Sequence, residues 1–510
     1  MIGPPAKTRT AARPALAAAF VCGAVSVAGF EPFGLGPLAI IGLACLIHLW
    51  RSTDSPRLAA TLGFAFGLGF FGAGVSWVYV SLHVFGAMPA PLAALSTFAF
   101  CAYLALFPAL VGSLQARLAL PEWVRTVLLI PALWTLAEWL RSWLLTGFPW
   151  LSLGYSQTDS PLSGFAPVAG VYGVSFMAAS VAGGLITALM TRQGDRHRAL
   201  ASVAAILVAG GLLVQLDWTE PHGEPLPVAL IQGNIAQSLK FEPGAYERTL
   251  ETYRRLVGAG LSDGKAPARL IVLPETAIPR FLDGVDPDYL EGLARDAGNR
   301  RADVLIGVPV RQPGGAAFNA VVSLGASGTQ YYAKSHLVPL GEFVPAEFTW
   351  ILSVLRIPLS DFSRGGLQRP IAAAGQLVAV NICYEDAFGE EIIRQLPEAT
   401  LLVNVSNVAW FGKSLAPEQH LQISRMRAIE TRRSMLRATN SGVTALIDRR
   451  GAVVARLPQY EQGVVRADAQ GYSGQTFYVR FGNMPILLLS LAACIAAVLA
   501  GIGYRGASMR

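Results

Sequence analysis

Three short segments of the 510-residue chain each end an apolar, β-like run with a reactive side chain. They are Ile271-Val272-Leu273-Pro274-Glu275, Tyr331-Tyr332-Ala333-Lys334-Ser335-His336-Leu337 and Ala379-Val380-Asn381-Ile382-Cys383-Tyr384-Glu385. A cysteine attacks as its thiolate, and an unperturbed thiol with a pKa of about 8.5 is only about 3% ionised at pH 7. A neighbouring carboxylate and a neighbouring cation remove that obstacle. Glu275 is the candidate base, and Lys334 the candidate cation for the thiolate and for the oxyanion that forms when a carbonyl is attacked. Taken singly, a Glu, Lys or Cys at a strand end is usually a solvated charge or a core residue; the three together, in this order, are much stronger evidence.

Cysteine usage points the same way. Cys22, Cys45, Cys101 and Cys494 lie in long apolar runs, where a thiol packs as a small apolar group. Cys383 is left alone in the charged part of the chain and has no intrachain disulfide partner there. A lone thiol in a disulfide-permissive compartment is either buried and inert or used.

The elements that must position these groups are short. Between 227 and 458 the pattern alternates β-like and helical segments, with strands expected at 227–232, 269–273, 303–308, 318–324, 329–333, 377–382, 400–405, 435–439, 443–447 and 452–456. Helices fit 246–260, 287–300, 389–396 and 417–433. Such alternation indicates a layered α/β domain with one core. The stretch 220–227 is rich in proline and reads as a short linker.

The chain as a whole is too apolar for a soluble enzyme, with 53% hydrophobic and 14% charged residues and a mean hydropathy of +0.45. Crossing a hydrocarbon core about 30 Å thick takes about 20 apolar residues in a helix. Eight runs qualify, near 14–30, 33–50, 58–81, 89–114, 124–145, 165–190, 199–216 and 484–504. Basic residues cluster on alternate sides: Lys7, Arg9 and Arg13, then Arg51 and Arg57, Arg117 and Arg125, Arg192, Arg196 and Arg198, and Arg505 and Arg510. The pattern puts both ends of the chain in the cytoplasm and the α/β domain outside. Three parts follow: a seven-helix membrane domain at 1–217, a catalytic domain at 218–483, and a closing helix with its tail at 484–510. The net charge of +7 comes mostly from the cytoplasmic loops and has no nucleic-acid meaning. A cleaved signal peptide at the start is disfavoured, because Phe20 and Val21 stand where small residues would precede Cys22.

Glu138 and Arg141 lie one helical turn apart within or at the outer edge of the fifth run, and read as an ion pair that fixes helix packing or as a contact for a phospholipid head group. The six histidines are dispersed, and no His or Cys spacing suits a metal.

The motifs Leu-Pro-Glu275, Tyr-Ala-Lys334 and Asn-Ile-Cys383-Tyr-Glu resemble the nitrilase superfamily, whose members carry Glu, Lys and Cys on an αββα sandwich. The eight flanking runs resemble the membrane-embedded branch of that superfamily, the apolipoprotein N-acyltransferases. So do Gly147-Phe148-Pro149-Trp150, Gly154-Tyr155-Ser156-Gln157, Gln232-Gly233-Asn234-Ile235, Gly341-Glu342-Phe343-Val344-Pro345, Val405-Ser406-Asn407 with Ala409-Trp410-Phe411-Gly412, and Ala438-Thr439-Asn440-Ser441-Gly442. Val408 and Phe241 depart from the pattern, where aspartate and tryptophan are expected.

The resemblance implies Cys383 as nucleophile, Glu275 as general base and Lys334 as oxyanion stabiliser, with Glu342, Glu385 and Tyr384 in support. It implies transfer of an acyl chain from a membrane phospholipid to the α-amine of a lipoprotein's diacylglyceryl-cysteine, at the bacterial inner membrane, by a monomer without cofactor or metal. Phe241, Asn319, Trp350, Trp410, Phe411 and Trp150 are the candidate substrate or lipid contacts. The apolar stretch 343–359 reads either as a shield that dips into the lipid or as an ordinary buried segment. Trp410, Phe411 and the uncharged loop 147–156 read as lipid-facing. Two rivals are a membrane-anchored amidase that uses water as acceptor, and a non-enzymatic lipid-binding or transport protein. Eight runs exceed what tethering needs, and few ionisable residues lie within them for a transport path.

Overall fold

The computed structural model of the protein describes residues 9–191, 193–237, 244–262, 267–343 and 361–508. Phe241, Trp350 and the stretch 344–359 lie outside the described residues. The chain divides into two compact units, one of Met1–Tyr79, Ala90–Leu216 and Asn483–Arg510, the other of Val80–Pro89 and Asp217–Gly482.

In the first unit, six helices among the described residues are long and apolar enough to cross a membrane: Pro56–Val75, Ala90–Gln115, Glu122–Arg141, Pro161–Met190, Arg196–Gln215 and Met484–Gly501. Two shorter apolar helices, Arg13–Gly29 and Pro37–Arg51, occupy the first two runs read from the sequence. The second of these, 15 residues long, spans only about 22 Å at 1.5 Å per residue. Small residues let the helices approach closely. A methyl group on Gly23 would collide with the Phe66 carbonyl, and one on Gly69 with the Phe20 carbonyl.

Glu138 and Arg141 are both buried, and both hold the loop that follows their helix. Arg141 Nη1 donates to the carbonyls of Phe148 and Trp150, each at 2.6 Å, and Glu138 Oε1 accepts from Leu153 N at 2.7 Å and Trp134 Nε1 at 2.9 Å. The loop is consequently enclosed, which corrects the lipid-facing reading. Trp150 is 2% exposed and packs edge-on against Trp77, and Tyr155 and Gln157 are equally hidden.

The second unit is built on two six-stranded sheets. The first has the order β12-β1-β2-β3-β4-β5, with β1 Thr219–Gln232, β2 Leu270–Val272, β3 Asp303–Arg311, β4 Ala317–Gly325, β5 Gln330–Ala333 and β12 Gly463–Gly474. The second has the order β11-β10-β9-β8-β7-β6, with β6 Ile371–Ala373, β7 Gln376–Ile382, β8 Leu401–Ser406, β9 Met435–Thr439, β10 Ala445–Ile447 and β11 Val453–Arg456. Strands β1, β2 and β3 run parallel, as do β7, β8 and β9.

Side-chain alternation produces the layers. Val228, Leu230, Leu270 and Val272 of one sheet meet Val378, Val380, Leu401, Val403 and Leu436 of the other in a dry central core. The opposite faces bury Ala229, Ile231 and Ile271 against helices Ala245–Ser262 and Pro287–Gly298, and Ala379, Leu402 and Met435 against a layer containing helix Ala416–Thr431. Both faces of each central strand are covered, which is why their sequences are continuously apolar rather than alternating.

Two strands escaped the sequence reading. β6 has only three residues, and β12 is polar and mostly half-exposed. The proline-rich stretch 220–227 is not a linker but the exposed first half of β1, paired with β12 across an irregularity between His222 and Leu226.

Gly307 on β3 packs directly beneath the Glu275 loop. A β-carbon there would meet the Pro274 carbonyl and come within 2.7 Å of Glu275 Cα and Thr276 N. Gly307→Ala is expected to cost about 1–3 kcal/mol of stability by overpacking. Gly258→Ala, with open space around it on helix Ala245–Ser262, is expected to be neutral or to stabilise by up to about 1 kcal/mol. Thermal unfolding of both variants in detergent checks this, and matching midpoints would refute it.

Candidate active site

Glu275 follows β2, Lys334 follows β5 and Cys383 follows β7, so each reactive group sits just beyond the end of a strand. The strands deliver them to a common cluster. Lys334 Nζ lies 3.4 Å from Glu275 Oε1 and 2.8 Å from Glu342 Oε2, with its side chain 1% exposed. Asn319, on β4, donates from Nδ2 to Glu275 Oε1 at 2.8 Å and to Glu342 Oε1 at 2.7 Å. Its amide thus ties the two carboxylates together, and the side chain is buried. The second Glu275 oxygen accepts from Asn407 N at 2.8 Å, and the second Glu342 oxygen from Val338 N at 2.8 Å.

Burial alone would lower the Lys334 ammonium, but Glu342 and Glu275 outweigh it and hold its pKa above the ordinary value, so it stays charged. Cys383 is partly buried. Burial, followed by the Glu275 charge, pushes its thiol well up, and Lys334 only partly offsets them. The resting sulfur is therefore a neutral thiol in contact with the field of both groups.

Glu385 is the bracket between Lys334 and Cys383. Its Oε1 accepts from Ser335 N at 2.6 Å and His336 N at 3.0 Å, its Oε2 from Ile382 N at 2.7 Å, and the Tyr332 hydroxyl donates at 3.1 Å. Burial pushes its pKa up to about 7. Tyr384 is half-buried and meets Phe388 edge-on at 5.0 Å and His336 at 5.8 Å. Trp410 and Phe411 lie in the short helical turn Val408–Phe411. Trp410 packs edge-on against Phe85 at 5.8 Å, and its carbonyl accepts from the Ser81 hydroxyl at 2.8 Å. Val408 is buried, and a β-carbon on Gly442 would run into it.

Several supports were missed from the sequence. Asn407 Nδ2 donates to Gln237 Oε1, and Asn440 Nδ2 donates to Asn407 Oδ1 and to the Ile235 carbonyl, so two asparagines brace the loop that holds Glu275. Both sit in motifs noted for their resemblance, but their spacing alone gave no sign of their partners.

Residues 22–184 match the family model described as the apolipoprotein N-acyltransferase N-terminal domain, and residues 227–477 match that of carbon-nitrogen hydrolase. The apolipoprotein N-acyltransferase of Nitrosomonas europaea is 51% identical to this chain, covering 94% of it and 97% of its own length. The chain belongs to the apolipoprotein N-acyltransferase family. A further member, from Chromobacterium violaceum, is 44% identical and covers 96% of this chain and 95% of its own. The solved carbon-nitrogen hydrolase of Helicobacter pylori G27 is 15% identical, covers 48% of this chain and 88% of its own, and has a TM-score of 0.36. Glu275, Lys334 and Cys383 all fall in the carbon-nitrogen hydrolase half of this apolipoprotein N-acyltransferase family member.

Removing Lys334 would leave two adjacent carboxylates, one buried and one half-buried, with Asn319 and one backbone N–H each but no cation between them. Lys334→Met is expected to cost about 3–5 kcal/mol, as for other broken buried pairs. Lys334→Met with Glu342→Gln should cost less than the sum of the single changes, because one stranded charge is gone. Thermal unfolding of the three variants tests this, and strictly additive losses would contradict a shared ion cluster.

Proposed function

We propose that the chain is an acyltransferase that moves a fatty acyl group from a membrane phospholipid, through a thioester on Cys383, to the α-amine of the N-terminal diacylglyceryl-cysteine of bacterial lipoproteins. The observation that carries this reading is the meeting of Glu275, Lys334 and Cys383 in one charged cluster. It occurs within a chain that apolipoprotein N-acyltransferases match nearly end to end.

Cys383 Sγ attacks the ester carbonyl carbon while Glu275 takes the thiol proton. Lys334 stabilises the oxyanion. The ester C–O bond then breaks, Glu275 returns its proton to the leaving hydroxyl of the lysophospholipid, and the acyl chain remains on sulfur. The acceptor amine has an unperturbed pKa of about 7.7–8.0, so a useful fraction is neutral near pH 7. It attacks the thioester, Glu275 takes its proton, and the C–S bond breaks to leave an amide and a thiolate that is reprotonated. Ester to amide runs downhill overall, so no nucleotide or dissociable cofactor is needed. Because the resting thiol is neutral, its proton leaves during attack rather than before it.

The finer layout belongs to the same proposal. The six long helices together with Arg13–Gly29 and Pro37–Arg51 make eight spans. Residues 1–217 form the membrane domain, 218–483 the periplasmic catalytic domain, and 484–510 the last span and tail. Arg51, Arg57, Arg117, Arg125, Arg196 and Arg198 beside alternate spans support cytoplasmic ends of the chain in the inner membrane. The protein acts as a monomer.

Incubating the purified protein with acyl-labelled phospholipid and a diacylated lipopeptide should give a Cys383-linked acyl-enzyme and then an N-acylated peptide. Cys383→Ala should give neither. Label that discharges only to water would make the protein a hydrolase, and unlabelled wild-type enzyme would end the acyltransferase reading.

A further inference from the structure

Behind the nucleophile lies a sealed polar set that no step above uses. Cys383 itself has φ 53, a left-handed conformation that a residue with a β-carbon keeps only when its surroundings hold it there. Its carbonyl oxygen is where the holding occurs. Asn404 Nδ2 donates to that oxygen at 3.1 Å, and His420 Nε2 lies 3.2 Å from it. The same His420 nitrogen is 2.7 Å from Asp386 Oδ1, on the short turn Cys383–Ala387 that Cys383 opens.

The charge state of this set follows from its contacts. Burial would raise the Asp386 carboxyl, but His420, Arg437 and the Ser424 hydroxyl overcome it and hold the pKa below the ordinary value. Burial, aided by Arg437, lowers the His420 imidazole below its ordinary pKa, and Asp386 partly offsets this. An ionised carboxylate and a carbonyl can only accept, so His420 carries a proton on Nε2 that is directed at both oxygens.

Arg437 orients both donors. Its Nη1 donates to Asn404 Oδ1 at 2.6 Å, to Ser424 Oγ at 2.8 Å and to Asp386 Oδ2 at 3.2 Å. Asp386, His420 and Arg437 are essentially unexposed, and sealing such charges from water carries a desolvation cost that apolar residues would avoid. The neighbouring positions on the same face, Ala379, Leu402 and Met435, are apolar. The polar positions coincide with the level of the nucleophile.

We propose that His420, backed by Asp386 and Arg437, is a positioning residue that clamps the Cys383 carbonyl and thereby keeps the strained turn that presents the thiol to Glu275 and Lys334. The inference rests on Cys383 being the nucleophile of the reaction proposed above. It assigns no proton transfer to His420.

The test compares His420→Ala, which removes the donor, with His420→Gln, which keeps an amide N–H at similar reach. Two rates are read: alkylation of Cys383 by iodoacetamide, followed at its own peptide by mass spectrometry, and single-turnover acylation by labelled phospholipid over a range of donor concentrations. Loss of one oriented hydrogen bond should slow both rates of His420→Ala by about tenfold or more. The KM for phospholipid should stay unchanged, and His420→Gln should recover to within about threefold of wild type. Wild-type rates in His420→Ala, or a glutamine variant as slow as the alanine one, would overturn the clamp. Should His420→Ala fail to fold, Asn404→Asp decides: it keeps the Arg437 contact but turns a donor to the Cys383 carbonyl into an acceptor. Slow alkylation there supports the clamp and wild-type alkylation refutes it. If wild type alkylates but never acylates, the acyl-transfer reading fails while the alkylation comparison still judges the clamp.

Discussion

The site depends on one buried ammonium. Lys334 is almost wholly enclosed, and such a cation persists only because Glu275 and Glu342 both press on it. The cluster carries two carboxylates against one ammonium, so it presents a net negative field to the sulfur beside it. That field, added to burial, keeps Cys383 protonated. The arrangement differs from one in which a cation alone stores a thiolate. Here a carboxylate is already in place and the ammonium is balanced at rest, so in the proposed reaction its charge is most needed when an oxyanion forms.

Glu385 solves a separate mechanical problem. β5 is the edge strand of one sheet and β7 belongs to the other, so Lys334 and Cys383 approach from opposite sides of the central core. Backbone N–H groups at the ends of both strands converge on the one Glu385 carboxylate, Ser335 and His336 from one side and Ile382 from the other. A single side chain thereby ties the segment that carries Lys334 to the one that carries Cys383. The dry core beneath supplies the rigid platform, since close-packed apolar layers resist the small shifts that would separate them.

The strand-end positions of Glu275, Lys334 and Cys383 were legible because each follows an apolar run that both-face burial makes continuous. The long helices were legible for the same reason. Burial of Trp150 was not, because an uncharged aromatic loop looks alike whether lipid or protein covers it; Arg141 and Glu138 decide the matter through contacts to the loop's backbone. β12 was missed because an edge strand carries little apolar signal. Asn381, Asn404 and Arg437 did leave a trace. Each interrupts an apolar strand near its C-terminal end, and the parallel register places Asn381 beside Asn404 and Asn404 beside Arg437. Polar residues aligned across adjacent buried strands mark a site even when none of them reacts.

The same geometry limits what the reactive groups alone can specify. In the proposed reaction Glu275, Lys334 and Cys383 account for attack of sulfur on a carbonyl, but nothing in them distinguishes an amine acceptor from water. One part packed beside the Glu275 loop has an unusual origin. Residues 80–89 lie in sequence between two long apolar helices, yet they belong to the unit that carries the sandwich. Ser81 and Phe85 hold Trp410, and only three residues earlier the Asn407 N–H holds Glu275. The connection is short, and just past Trp410 the chain turns at Gly412, φ 55, where a β-carbon would press on Val80. The loop that holds Glu275 is therefore anchored at its far end by residues 80–89, a constraint that a sandwich without that segment would lack.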